Sequence, residues 1–146
     1  HLENFCRSIK ALGYKIKIDT NGSNPNRLQA LISQELIDYV ALDYKAPKSS
    51  FITLTHYRHF EHLEESLALL QRSNIPFEVR TTLHSDLLTP NDINTIIQDL
   101  HQKGYNGIYY IQRYLHVNET LGNTKEPLNI FDENQLLKII PIQFRN

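Results

Sequence analysis

The sequence predicts an α/β fold in which about four parallel strands alternate with helices. Two observations predict it. Strand-like segments are separated by helix-like segments of about ten residues, a spacing that calls for right-handed crossovers between parallel strands. The chain has 146 residues, whereas a closed barrel of eight such units needs roughly 200 to 250. The expected architecture is therefore an open sheet or about half of a barrel, built as a single domain over residues 1–146.

Hydrophobic periodicity and capping residues place the elements. Two helices have strong starting signals, because Asn24 precedes Pro25 and Thr89 precedes Pro90, and proline is favoured in the first turn of a helix. Gly13 and Gly104 mark two helix ends. The predicted order is helix 2–12, strand 14–19, a helix from residue 25, strand 38–43, loop 45–55, a helix from 60 to about 73, strand 77–83, helix 90–103, strand 107–113, loop 114–130 and a short helix 132–140, with 141–146 unassigned.

Composition excludes several classes of function. The chain carries 15 Lys and Arg against 16 Asp and Glu, so no strong field favours nucleic acid or an acidic membrane. A single cysteine, Cys6, excludes an internal disulfide and suits a reducing cytoplasm, and an inert buried thiol is its plainest role. No segment has the pattern of a membrane span or leader. Because the sequence opens at His1 directly in a helical pattern, we expect it to start in mid-domain.

The strands have one apolar and one charged face. Residues at alternate positions are apolar in all three of the clearest strands, while the positions between them are largely charged or polar. These charged or polar residues are Lys15, Lys17, Asp19, Asp43, Glu78, Arg80 and Thr82. If helices cover the apolar face, the charged face should line a chamber for water or a polar ligand, because unpaired charges are costly to bury.

Polar residues also gather where the strands end, which is where parallel α/β folds bind ligands. Carboxylates there could bind hydroxyls or an ammonium group, cations could bind a carboxylate, and neutral polar groups could orient a ring or amide. Together they suit a zwitterionic ligand that bears a nucleoside. The candidates are Asp19 and Asp43, Lys45 and Arg80, and Thr20 and Gln112.

Four segments occur in an order that resembles a known family. They are Tyr14 to Pro25, which contains the sequence DTNG, Asp38 to Pro47, which contains DYK, Ile75 to Thr82, and Tyr110 to Arg113. This pattern resembles radical S-adenosylmethionine proteins that activate glycyl-radical enzymes. It is most similar to the anaerobic ribonucleoside-triphosphate reductase activating proteins, with pyruvate formate-lyase activating enzyme as a relative.

The resemblance implies a partial TIM-type barrel that is open because N-terminal βα units are missing. It implies S-adenosylmethionine contacts by residues at the matching motifs, together with weaker candidates on the later strands. It also implies reductive cleavage of S-adenosylmethionine at a 4Fe-4S cluster and hydrogen abstraction from a glycine of a partner enzyme, with flavodoxin or ferredoxin as electron donor. The implied contacts are Asp19, Thr20, Asp43 and Lys45, then Arg80, Thr82 and Gln112.

The family's CxxxCxxC and GGEP segments are absent from these 146 residues and are expected upstream of His1. One cysteine cannot hold the cluster, so no metal site is expected within this chain, and the chain alone should not generate a radical. The uncovered edge of strand 14–19 should favour self-association.

Other interpretations remain open. The chain could be a cluster-free module that binds a nucleoside-like ligand or a partner chain, or a barrel in which Lys45 forms a Schiff base. Residues 19–22 could be only a turn. The histidines at 56, 59 and 62 could bind a metal, but a solvated helix surface is the simpler interpretation, since no carboxylate partner is evident nearby.

Overall fold

The computed structural model describes residues 1–115 and 124–146. Five strands and five α-helices alternate along the described chain. In order they are α1 (Leu2–Ala11), β1 (Lys17–Thr20), α2 (Pro25–Ser33), β2 (Tyr39–Asp43), α3 (Phe51–Thr55), α4 (Phe60–Arg72), β3 (Phe77–Leu83), α5 (Pro90–Gln102), β4 (Tyr109–Arg113), a 3-10 turn (Glu133–Gln135) and β5 (Ile142–Arg145). The predicted α/β class is confirmed.

The strands form one parallel sheet in the order β1-β2-β3-β4-β5. Because each strand lies beside the next one in sequence and crossovers are right-handed, the connecting helices lie on the same face of the sheet. Helices on one face and strands in sequence order are also what a segment of a barrel wall shows. The sheet is compatible with a partial barrel.

The predicted alternation of faces is confirmed. Val40, Leu42 and Val79 are completely buried on the helix side and belong to one core cluster with the apolar positions of α2, α4 and α5. The register pairs Asp43 with Arg80 on the opposite side. The charged residues therefore share one face, which we call the polar face.

Both predicted helix caps are confirmed. Asn24 Oδ1 accepts a hydrogen bond from the Arg27 amide at 3.0 Å, and Pro25 is the first residue of α2. Thr89 and Asp92 form a reciprocal capping box at the start of α5. Such caps satisfy amide groups that have no partner within the helix.

The C-terminal prediction was wrong in two respects. The helix expected from Asp132 to Ile140 is only the 3-10 turn Glu133–Gln135, although Asp132 does cap it. The unassigned end contains β5, so the sheet has five strands rather than about four.

The structure also differs from the prediction in a loop, because α3 lies inside the predicted loop 45–55. Part of the predicted loop 114–130 lies outside the described residues.

Among the described residues, no helix combines the length and apolar character needed to cross a lipid bilayer. Cys6, the single cysteine, is 1% exposed in the core, as predicted.

The turn after β1 requires glycine at position 22, because of its backbone conformation and because a side chain would not fit. The Gly22 φ of +72° is unfavourable for residues with a side chain, and a Cβ would meet Leu42 Cδ1 at 3.1 Å and the Leu63 backbone at 3.2 Å. We expect Gly22→Ala to lower the free energy of unfolding by about 2–3 kcal/mol, from backbone strain and crowding together. Urea unfolding followed by circular dichroism measures this loss.

Gly13 provides the matched control, because its φ is +84° but a Cβ at that position would meet nothing within 4 Å. Gly13→Ala should lower the free energy of unfolding by only about 1 kcal/mol, from backbone strain alone. Equal losses in the two variants would contradict the crowding at Gly22.

Candidate functional site

Arg80 joins three strands at their carboxyl ends. Its Nε donates to Asp43 Oδ1 at 2.5 Å, and its Nη2 donates to Asp19 Oδ2 at 2.8 Å. The register of β2 and β3 places Asp43 directly beside Arg80, and Asp19 extends from β1, the next strand along. A planar guanidinium has donors on several edges, so it can hold two carboxylates at once.

Lys45 extends this arrangement, because its Nζ lies 2.8 Å from Asp43 Oδ2. We call the group Asp19, Asp43, Lys45 and Arg80 the Arg80 site. Its inner members are largely covered, with side chains 13% exposed for Arg80 and 18% for Asp43, whereas Asp19 is 53% and Lys45 41% exposed. The Asp19 carboxylate and the Lys45 ammonium group therefore face solvent, whereas the paired side chains of Asp43 and Arg80 are largely covered.

The charges of the Arg80 site stabilise each other. Burial alone would raise the pKa of Asp19, but the hydrogen bond and charge of Arg80, with a smaller contribution from Lys17, outweigh it and hold the pKa below its ordinary value. Burial would lower the pKa of Arg80, and the two carboxylates outweigh that effect and raise it. Both shifts favour the charged forms of Asp19 and Arg80.

Thr20 does not belong to the polar face. The register pairs Thr20 with Leu42 on the helix side, and its Oγ1 accepts a hydrogen bond from the Gly22 amide at 3.1 Å. Asn21 Oδ1 similarly accepts one from the Ser23 amide at 3.0 Å. These contacts are those of the turn considered for residues 19–22, and they give Thr20 a role in shaping the loop.

Thr82 lies on the polar face, as predicted, and Gln112, which was predicted only at a strand end, lies on the same face. They are partners in the register of β3 and β4, and Gln112 is in turn beside Arg145 of β5. Thr82 lies two residues beyond Arg80 along β3, so it occupies the same face nearer the strand end. Six of the seven predicted residues therefore share one face, and Thr20 is the exception.

A second charged cluster centred on Glu78 was not predicted. The Glu78 side chain is only 5% exposed, and it lies 3.0 Å from the Arg145 guanidinium, 3.6 Å from Lys17 Nζ and 3.3 Å from the Tyr39 hydroxyl. The Arg145 guanidinium also stacks 3.2 Å above the Tyr110 ring. The alternation of apolar and polar residues over 142–145 was the signal that could have indicated β5 and, with it, this arginine.

The charged side chains of the polar face form ion pairs with one another in the described residues. This pairing removes the cost of leaving them unpaired. Two larger concavities in the described structure lie at the sheet margins: a cavity of about 420 Å³ beside β5 and a groove between α1 and β1.

The arrangement does not favour the Schiff-base interpretation. Lys45 is exposed and paired with Asp43, whereas an activated lysine needs a desolvated amine or a cationic neighbour. Binding of a zwitterion fits better, because Asp19 can accept from an ammonium group and Lys45 can donate to a carboxylate. A 4Fe-4S cluster does not fit these residues, since the one thiol, Cys6, is buried in the core.

The pKa of Asp19 tests the Arg80 bridge directly. We expect Arg80→Gln to raise the pKa of Asp19 towards its ordinary value of 3.8, because the charge that favours the carboxylate is removed. Since the folded-state pKa is the lower one, the contribution of this pair to stability is complete above the unfolded value and disappears as the pH falls through the folded value. Carboxyl-carbon NMR titration measures the shift.

Asp38 is the control for this titration. Its pKa is lowered by a hydrogen bond from Lys10 and one from the Ile16 amide, neither of which involves Arg80. The pKa of Asp38 should stay where it is in Arg80→Gln. An unchanged Asp19 pKa in that variant would contradict the bridge.

Comparison with known proteins gives one similar curated protein. The chain is 28% identical over 146 residues to the "Putative glycyl-radical enzyme activating enzyme MJ1227" of Methanocaldococcus jannaschii, an alignment that covers 97% of this chain and 54% of that protein. No protein-family model matches the chain, and the search of solved structures gave no match. The chain thus spans about half the length of a relative whose described function agrees with the motif resemblance.

Proposed function

We propose that the chain is the cofactor-binding part of a radical S-adenosylmethionine enzyme of the glycyl-radical-activating type. The observation that carries the proposal is the Arg80 site, in which an exposed carboxylate and an exposed ammonium group lie at the carboxyl ends of neighbouring parallel strands. That edge of a parallel sheet is where such folds bind their ligands. Similarity to an activating enzyme supports the same assignment.

Each residue then has a defined task. Asp19 accepts hydrogen bonds from the ammonium group of the methionine end, and Lys45 donates to its carboxylate. Arg80 and Asp43 hold these two groups in place through the contacts already present. Thr82 and Gln112, further across the sheet, bind the nucleoside end.

S-Adenosylmethionine and a 4Fe-4S cluster would supply the radical chemistry, and the residues described here would bind and orient the former. The cluster thiolates must come from residues other than these 146, because the chain has one cysteine. A glycyl-radical enzyme as partner, an electron donor such as flavodoxin or ferredoxin, and a reducing cytoplasmic setting belong to the same proposal.

A cluster-free binding module is the second candidate. It is favoured by the Arg80 site, whose exposed carboxylate and ammonium group need no cluster to hold a charged nucleoside-like ligand. Both candidates predict binding of S-adenosylmethionine, and only the first predicts a cluster-binding sequence in the complete protein.

Loss of binding in two variants tests the ligand assignment. We expect Asp19→Asn and Lys45→Met each to weaken S-adenosylmethionine binding by about 10- to 100-fold, because each removes a charge-assisted hydrogen bond to the ligand. Isothermal titration calorimetry measures the dissociation constants. Both residues are about half exposed, so the variants should retain the fold.

Lys48→Met is the matched control. Lys48 follows Lys45 by three residues, is 72% exposed and lies 3.7 Å from Glu64, away from the Arg80 site. Its replacement should leave the dissociation constant unchanged. Equal affinity of the wild type, Asp19→Asn and Lys45→Met would contradict the assignment.

The coding sequence upstream of the His1 codon separates the two candidate functions. A CxxxCxxC motif there would support the radical enzyme. An initiator codon with no such motif would leave only the cluster-free module.

We also propose that the chain self-associates through β1. Ile16 bonds to β2, so the alternation of backbone groups places those of Lys17 and Asp19 on the open edge of the strand. Apolar residues of α1 line a groove beside that edge, among them Phe5, which is 63% exposed. A second copy that pairs here would satisfy the edge and cover the groove.

Lys17→Pro tests this association, because proline is tolerated where an amide faces outwards on an edge strand but cannot donate to an added strand. Light scattering should show a dimer for the wild type and a larger monomer fraction for the variant. A monomeric wild type at high concentration would contradict the association.

A further inference from the structure

Two histidines and a glutamate meet where α4 begins. His59 immediately precedes the helix, and Glu61 and His62 lie in its first turn. One ligand-type atom from each of the three lies within 4.8 Å of the others, and the two imidazole rings stack with centroids 4.9 Å apart. We call His59, Glu61 and His62 the His59 cluster.

The structure differs from the sequence-based view of these histidines. His56 is separate from the others, because it ends α3 in a left-handed conformation. Glu61 provides the carboxylate partner that was not evident in the sequence, with Oε1 2.7 Å from His59 Nδ1. A histidine pair with a carboxylate is a ligand set typical of metal sites, whereas a solvated surface needs no such contacts.

The hydrogen bonds of both rings involve Nδ1. A carboxylate only accepts, so His59 donates from Nδ1 to Glu61. The Tyr57 hydroxyl lies 3.1 Å from the Ser23 carbonyl, which also only accepts, and 2.6 Å from His62 Nδ1. When the hydroxyl donates its one proton to Ser23, it accepts from the Nδ1 hydrogen of His62, and the proposal below uses this tautomer.

A neutral ring that donates from Nδ1 keeps its Nε2 lone pair free for a metal ion. Histidines that bind metals commonly donate their other ring nitrogen to a carboxylate or another oxygen in this way, which fixes the tautomer and the ring orientation. The ring planes differ by 19°, so converging on one ion at about 2.0–2.1 Å requires side-chain rotation. His59 and Glu61 are both exposed and His62 is half-buried, so His59 and Glu61 can rotate together at the surface.

We propose that the His59 cluster binds a divalent late transition metal ion such as Zn²⁺ through Nε2 of His59 and Nε2 of His62. Glu61 and the Tyr57 hydroxyl orient the two rings through their contacts with Nδ1 of His59 and Nδ1 of His62. Imidazole nitrogen favours zinc, nickel and copper over the oxygen-seeking ions Mg²⁺ and Ca²⁺. Two protein ligands leave coordination positions for water or for a group from a bound molecule.

The position of the cluster gives the proposal its functional interest. Tyr57 bonds to Ser23 in the loop after β1, and that loop follows Asp19 of the Arg80 site. The metal would therefore lie at the ligand-binding end of the sheet. The proposal goes beyond the function proposed above and does not depend on it, since it requires neither S-adenosylmethionine nor an iron–sulfur cluster.

Titration of the full chain with Zn²⁺, followed by calorimetry, tests the site. The wild type should bind one ion at the cluster, and His59→Ala or His62→Ala should weaken that binding at least 100-fold. Tyr57→Phe should weaken it about 10- to 100-fold, as loss of a group that orients a ligand does. Excess Mg²⁺ should not compete.

His101→Ala is the control, because His101 is an exposed histidine on α5 and outside the cluster. It should bind Zn²⁺ as the wild type does. Wild-type affinity in both His59→Ala and His62→Ala, or no Zn²⁺ binding by the wild type, would overturn the proposal.

Long-range proton–nitrogen NMR spectra test the tautomers without any metal. The metal-free wild type should show both rings protonated at Nδ1, and Zn²⁺ should shift the Nε2 resonances. Rings protonated at Nε2 in the metal-free protein would overturn the assignment, independently of how well any variant folds.

Discussion

The contact of Arg80 with Asp43 and Asp19 is the interaction on which the polar face depends. It ties β1, β2 and β3 together at the end where a ligand would bind. Removing the guanidinium would leave Asp43, which is 18% exposed, with only the exposed Lys45 as a charged partner, and breaking the pairing of a largely covered charge is costly. The same contact orders Asp19 before any ligand arrives, so binding would require little further loss of side-chain freedom.

The polar face has two levels that differ in exposure. In the Glu78 cluster the carboxylate is 5% exposed, and it receives Lys17 and Arg145, which are 49% and 34% exposed. The Arg80 site lies closer to the strand ends and keeps Asp19 and Lys45 accessible. Buried, fully paired charges fix the relative positions of strands, whereas accessible charges remain able to exchange a protein partner for a ligand. The buried Glu78 carboxylate therefore helps to fix the positions of the strands that carry the Arg80 site.

The polar groups in the loops at this end have two roles. Some stabilise the turn after β1, and others connect that turn to the His59 cluster. Thr20 and Asn21 are engaged by the turn itself, and the close packing of Gly22 against Leu42 and Leu63 fixes the course of that turn. Ser66 Oγ of α4 donates to the Gly22 carbonyl at 2.9 Å, while Tyr57 holds the Ser23 carbonyl and His62. The start of α4 is thus attached to the loop after β1, which brings the His59 cluster to the end of the sheet that bears the Arg80 site.

The sequence by itself determined the α/β class, the order of four strands, the two helix caps and the separation of apolar from charged faces, because periodicity and capping are local properties. It also placed Asp19, Asp43, Arg80 and Thr82 on one face, since strand alternation fixes direction. Only the tertiary structure decided that Thr20 serves the turn, that Arg145 reaches Glu78 and that Glu61 meets His59. Those contacts depend on strand register, on a short fifth strand and on side-chain rotation, which no local pattern encodes.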